Sequence, residues 1–174
     1  MELNVAAELK MPGLVKSAHL EEVFPEMELA GNRIRFSEPV KLDIRYSFDG
    51  EGVNIEGVLS SSVIMNCTKC NEEFVSPFEV DFSERFLKLS EEEAEELDCY
   101  SYTGEVLKLN KMAEDLILLN APLYGVCSPD CKGLCPVCGT NLNTSQCSCT
   151  AEDDSSPFAA LKGLKELLNQ FQED

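Results

Sequence analysis

The sequence predicts an α+β protein: an antiparallel β meander or partly open barrel, a few helices, and a cysteine-rich module near the C-terminus. Three observations predict it. Residues 38–86 carry three consecutive runs in which apolar and polar residues alternate, the pattern of half-buried strands. The spacing turns helical at 109–120 and again at 157–171. Between those two segments lies a block, 126–149, rich in Cys, Gly, Asn and Pro and poor in large apolar side chains. Such a block cannot hold itself together by burial and needs a staple.

The elements follow in order. Residues 14–24 are read as a first strand. In 38–48, Val40, Leu42, Ile44, Tyr46 and Phe48 alternate with Lys41, Asp43, Arg45 and Ser47. Asp49-Gly50 then reads as a hairpin turn with both residues at φ > 0. Residues 53–65 alternate through Val53, Ile55, Leu59, Val63 and Met65. After a C-T-K-C turn, residues 74–86 place Phe74, Phe78, Val80, Phe82 and Phe86 on one face, with Glu79, Asp81, Ser83 and Arg85 opposite. Three such runs make a meander. Residues 90–98 are an acidic loop or short helix on the surface. In 109–120, Met112, Leu116 and Leu119 share a helix face, Asn110 is the expected cap, and Pro122 ends the helix. Residues 150–156 are a linker. Ser156 and Pro157 open a final helix, with Phe158, Leu161, Leu164, Leu168 and Phe171 along one side. That stripe packs on the sheet or, alternatively, meets a partner. The organisation is therefore a β-rich domain (1–108), a connecting helix packed on the sheet (109–125), the cysteine module (126–149), and a linker with an amphipathic helix (150–174).

Charge narrows the function. The 174 residues carry 32 acids and 14 bases, a net of −18, and no segment has a basic excess. Gripping phosphates requires Lys and Arg to displace counterions, so tight direct RNA binding is disfavoured and a basic protein partner is expected. No run of 18 apolar residues exists, so no membrane contact is expected. The N-terminus lacks a basic start followed by an apolar run, so no secretory signal is expected, and a reducing, cytoplasmic setting follows.

In that setting clustered cysteines bind metal more often than they pair. There are nine cysteines and one histidine, His19. Cys67 and Cys70 form a C-x2-C at a hairpin turn, half of a tetrahedral zinc site. The module adds Cys127, Cys131, Cys135, Cys138, Cys147 and Cys149. Its C-P-V-C-G is a knuckle: Pro136 stiffens the turn and Gly139 permits the conformation just past the second thiol. Eight cysteines fit two four-cysteine zinc sites, or at least one. The preferred grouping puts Cys135, Cys138, Cys147 and Cys149 on one ion, and Cys67 and Cys70 with Cys127 and Cys131 on the other. Four sulfurs leave no open coordination position, which marks a structural site rather than a catalytic one. An iron–sulfur cluster is the less favoured occupant, and a thiol pair serving redox exchange is less favoured again. Cys99 reads as a buried small hydrophobe and His19 as an ordinary surface or packing residue. No catalytic acid, base and nucleophile can be named, and no small-molecule substrate is implied.

The motifs resemble the YceD family, small proteins linked to accumulation of large-subunit ribosomal RNA in bacteria and plastids. The resemblance covers nearly the whole chain. It rests on Cys67-Thr68-Lys69-Cys70 at a hairpin, Pro122, Leu123 and Cys127 as P-L-x-x-x-C, the run C-K-G-L-C-P-x-C-G-x-N-L-N from Cys131 to Asn143, C-x-C at Cys147 and Cys149, and Pro157, Ala160, Leu161 and Leu164 in the tail. Two departures stand out. Lys69 replaces an Arg common in relatives, and Ser156-Pro157-Phe158 lacks the acid and Arg that often open the last helix. The resemblance implies a non-enzymatic ribosome-biogenesis factor. Its expected partner is a basic ribosomal protein or a pre-50S-type particle, with RNA contact through Lys132 as the alternative. A generic zinc-ribbon interaction module and a redox-responsive zinc protein are the other readings.

Overall fold

The computed structural model describes residues 1–29 and 31–149. The expected linker at 150–156 and helix at 157–171 lie outside the described residues. The chain runs β1 (Glu2–Asn4), a 3-10 turn (Glu8–Lys10), β2 (Val15–Glu22), β3 (Met27–Leu29), β4 (Asn32–Phe36), β5 (Val40–Phe48), β6 (Gly52–Asn66), β7 (Glu73–Leu87), α1 (Glu91–Glu96), β8 (Tyr100–Ser101), β9 (Val106–Lys108) and α2 (Asn110–Asn120). The described residues are thus mostly strands with two α-helices, arranged as open sheets.

The meander β5–β6–β7 is present and antiparallel. β6 is its spine. One edge pairs with β5 from Val53 to Ser60 and with β4 at Val63 and Ile64, and the other pairs with β7 along all 15 residues. β2 flanks β5, β3 flanks β4, and β8 joins β7 in parallel. This large sheet is open, and β1 with β9 makes a separate two-stranded sheet. Inward side chains of β5 and β6 are almost wholly buried (Leu42 0%, Ile44 2%, Ile55 1%, Leu59 0%), and they form one apolar cluster with Phe86, Leu107, Leu109, Met112 and Ile117. Burial of this alternating face is what fixes strand register, because a one-residue slip would turn every apolar side chain outward.

Gly57 sits where β5 and β6 come closest. A Cβ there would lie 2.2 Å from the Asp43 carbonyl oxygen and 2.9 Å from Ile44 Cα.

Four expectations need correction. The β5–β6 turn is centred on Gly50-Glu51, not Asp49-Gly50. Asp49 N–H donates to the Gly52 carbonyl, and only Gly50 has positive φ, at 105°. Asp49 instead holds the turn from outside, its carboxylate accepting the Glu51 and Gly52 N–H groups at 2.9 Å each. Asn110 does not cap α2. Its side chain accepts from the Met1 α-amino group and donates to Glu22 at 2.8 Å, so it is already engaged. The buried face of α2 is Met112, Ala113, Leu116 and Ile117, while Leu119 is 81% exposed. At 100° per residue, Leu119 lies roughly 90° from the centre of that face. Cys99 is half-buried rather than buried. The acidic stretch forms the short helix α1, and a reciprocal Ser90–Glu93 capping box starts it.

Candidate metal centre

The β6–β7 hairpin ends in a turn, residues 67–72, that presents Cys67 and Cys70. The chain leaving α2 passes this tip, with Thr68 N–H donating to the Gly125 carbonyl at 2.9 Å, and delivers Cys127 and Cys131. The Sγ atoms of Cys67, Cys70, Cys127 and Cys131 lie within 4.8 Å of one another, and so do those of Cys135, Cys138, Cys147 and Cys149. Cys99 belongs to neither group. His19 is exposed on β2, its Nδ1 2.7 Å from the Asp43 carboxylate.

The two C-x2-C turns are built alike. Cys67 N–H donates to the Glu72 carbonyl and Cys135 N–H to the Thr140 carbonyl, both at 2.8 Å. Asn71 N–H returns to the Cys67 carbonyl at 2.8 Å and Gly139 N–H to the Cys135 carbonyl at 2.9 Å. The residue after the second cysteine is left-handed in both, Asn71 at φ 61° and Gly139 at φ 73°, a conformation that Gly and Asn tolerate best. The turns also contact each other. Leu134 N–H donates to the Lys69 carbonyl at 2.9 Å, and the Asn141 amide donates to the Glu72 carboxylate at 3.1 Å.

The geometry can be tested against a four-sulfur ion. Sulfurs about 2.3 Å from a tetrahedral zinc stand about 3.8 Å apart. Cys67 and Cys131 are separated by 3.7 Å, and Cys70 and Cys127 by 3.6 Å. A disulfide would need about 2.05 Å. The donors are all thiols, a soft set that suits zinc or an iron–sulfur cluster. The residues present therefore fit a four-thiolate ion.

Electrostatics point the same way. Burial pushes the Cys67 thiol up, but N–H groups of Cys127, Cys70 and Lys69 with the Cys70 thiol pull it down to about 6. The Cys70 thiol and burial push Cys127 up to about 12. In the second group the Thr140 hydroxyl and N–H bring Cys138 down to about 6, while the Cys138 thiol and burial send Cys149 up to about 12. In each group two thiols are pulled down (Cys67 and Cys131; Cys135 and Cys138) and two pushed up (Cys70 and Cys127; Cys147 and Cys149), as expected for thiolates crowded together. A divalent ion removes that conflict and releases protons.

The groups differ in exposure. Cys67, Cys70 and Cys131 are buried and Cys127 is exposed, whereas Cys138 and Cys149 are both open to solvent. Sequence reasoning passed over Asn143. Its Nδ2 lies 3.4 Å from Cys131 Sγ and 2.9 Å from Asn141 Oδ1, and its Oδ1 accepts the Lys132 N–H at 2.8 Å. Asn143 sits in the loop that closes the second group, yet it touches a sulfur of the first. The N-L-N of the cysteine block was the available signal. The Lys132 side chain is exposed, and no described helix is long and apolar enough to cross a membrane.

Comparison with known proteins adds a family. The family model described as "Large ribosomal RNA subunit accumulation protein YceD" matches residues 55–165. Similar curated proteins include "Large ribosomal RNA subunit accumulation protein YCED homolog 1, chloroplastic" of Arabidopsis thaliana, 24% identical over 164 residues, covering 76% of this chain and 50% of that protein. The maize protein of the same name is 42% identical over 59 residues, covering 33% of this chain and 20% of its own length. An uncharacterized protein of Mycobacterium tuberculosis is 31% identical over 104 residues, covering 58% of this chain and 50% of that protein. This chain spans about half the length of the Arabidopsis and Mycobacterium tuberculosis proteins. No solved structure matches.

Proposed function

The chain belongs to the YceD family, and from that premise we propose that it is a non-enzymatic accessory factor supporting accumulation of large-subunit ribosomal RNA. It acts in the cytoplasm by binding a basic ribosomal protein or a large-subunit precursor particle. The observation that carries the structural part is the pair of four-cysteine groups. Cys67, Cys70, Cys127 and Cys131 hold one zinc ion, and Cys135, Cys138, Cys147 and Cys149 hold a second. A four-thiolate zinc supplies cross-linking of loops and presents no open position for substrate. The first group ties the tip of the β6–β7 hairpin to the segment after α2, and the second closes the 126–149 module on itself. The organisation into a β-rich part (1–108), a connecting helix (109–125), a zinc-knuckle module (126–149) and a C-terminal segment (150–174) follows from these ties.

Charge supports the partner. Each filled site contributes −2, so two ions take the chain from −18 to about −22. Opposite charge speeds encounter with a basic protein and repels phosphate. Two measurements test the reading. Elemental analysis of protein purified without added metal should give about two zinc ions per chain; iron with sulfide, or no metal, would refute the zinc assignment. Capture of large-subunit proteins by the immobilised chain should survive RNase. Retention that vanishes with RNase would place RNA, not protein, in contact with the chain.

A further inference from the structure

β7 has a free edge. It runs from Glu73 to Leu87, and β8 covers its outer side only at Phe86 and Leu87. The Leu87 carbonyl accepts the Tyr102 N–H at 3.0 Å on that outer side. Backbone groups alternate sides along an antiparallel strand, so Glu79, Asp81, Ser83 and Arg85 also turn their N–H and C=O groups outward. Pro77 falls in the same set, so its missing N–H removes nothing from the ladder to β6. Among the described residues, no turn or loop bonds to the backbone of residues 79–85.

The side chains at this edge have a consistent character. Phe78 and Val80 face the core but are only half-buried, whereas Leu59, paired with Val80, is 0% exposed. Among the described residues, the apolar face therefore continues to the edge without a cover. On the other face, Glu79 and Asp81 are exposed and form no ion pair among the described residues. Arg85 is committed to Asp49 at 2.9 Å and Glu51 at 3.6 Å.

The geometry points to the β7 edge, Glu79 to Arg85, as a docking site for an extended basic segment of a partner protein. The segment adds as a strand, sets its Lys or Arg side chains beside Glu79 and Asp81 on the exposed face, and lays its alternate apolar side chains beside Phe78 and Val80. Backbone bonds supply affinity and charge supplies selectivity. The unpaired stretch is about 24 Å long, bounded by Pro77 and β8. A second copy is the weaker occupant, because two chains of net charge −18 repel each other. This inference rests on the reading of a basic protein partner and names the surface that meets it.

The test uses the zinc-loaded full chain and a peptide of about ten alternating Lys and Val residues, with a Glu/Val peptide as control. Amide exchange followed by NMR should slow at least tenfold at Glu79, Asp81 and Ser83 with the basic peptide and stay unchanged with the acidic one. Asp81→Pro removes an N–H that the fold does not use and should weaken peptide binding at least tenfold. Protected amides at Phe78 and Val80 would certify that the variant is folded, and Glu79→Lys, which leaves the backbone intact, should weaken binding in the same direction. Peptide binding without protection at 79, 81 and 83 overturns the proposal. So does protection already present without peptide, which would mean that residues 150–174 or a second copy cover the edge. RNase-resistant capture separates the two levels. If the unaltered chain retains no basic ribosomal protein, the partner reading fails. If it and Asp81→Pro retain one equally, only the edge fails.

Discussion

Replacing Asn143 with alanine would test whether the two cysteine groups act as one unit. The side chain makes three bonds: Nδ2 to Cys131 Sγ at 3.4 Å, Nδ2 to Asn141 Oδ1 at 2.9 Å, and Oδ1 from Lys132 N–H at 2.8 Å. The first steadies a thiolate of the hairpin-tip group from a loop that belongs to the other group. Removing an outer partner of a metal ligand typically lowers metal affinity by roughly 10–100-fold. Asn143→Ala should therefore weaken zinc at Cys67, Cys70, Cys127 and Cys131 by about that factor. Asn143→Asp sharpens the logic. It keeps the acceptor for Lys132 N–H, so the loop brace survives, but it loses the N–H donor and places a negative charge beside the sulfur. The expected order of affinity is Asn, then Ala, then Asp. The assay is competition against a chromophoric zinc chelator. It would be run on each variant as a two-site titration, with the second group left intact so that the Asn143 loop stays closed and serves as the internal reference. Affinities within twofold of the parent, or an Asp variant as tight as the parent, would refute the coupling.

Gly57→Ala forces a Cβ to within 2.2 Å of the Asp43 carbonyl. Backbone must move, so a loss of about 3 kcal/mol is expected, read as a lower urea midpoint. Leu116→Ala should cost about 2–5 kcal/mol, whereas Leu119→Ser, at a side chain 81% exposed, should change stability by less than about 0.5 kcal/mol. Equal losses would mean that the buried face of α2 is misassigned. The Asp49 carboxyl is held well below its ordinary range by the Gly52 and Glu51 N–H groups and the Asn54 amide. Its stabilising effect is full above the unfolded pKa and fades as pH falls toward the lower folded value. Asp49→Asn should accordingly be less stable than the parent at neutral pH, with a gap that narrows only below about pH 4. A gap that widens in acid would contradict this.

The sequence showed β5, β6 and β7 because each runs for several periods with one face buried. Val40, Leu42 and Ile44 announce their orientation without any partner in view. β1, β8 and β9 were not legible, since two or three residues hold barely one alternation. β1 exists only because residues 106–108, far along the chain, supply its ladder. α2 was legible as a helix, but its buried face is decided by the sheet beneath it, which took Ala113 and Ile117 and left Leu119 outside. The eight clustered cysteines were readable from spacing. Asn143 was legible only as part of the N-L-N motif, and its role was not readable because it depends on a sulfur brought beside it by the fold.

The hairpin-tip group also sets a schedule for synthesis. Cys67 and Cys131 are 64 residues apart. At about 5–20 residues per second, roughly 3–13 s separate their translation. During that interval the β6–β7 hairpin can already stand while its two thiols have no companions. Until Cys127 and Cys131 arrive, no ion can be closed on the pair, so both thiols stay open to oxidants. The second group draws its ligands from a span of 135–149 and closes within about 3 s. Oxidative damage during translation should therefore concentrate at Cys67 and Cys70, residues that the finished protein buries.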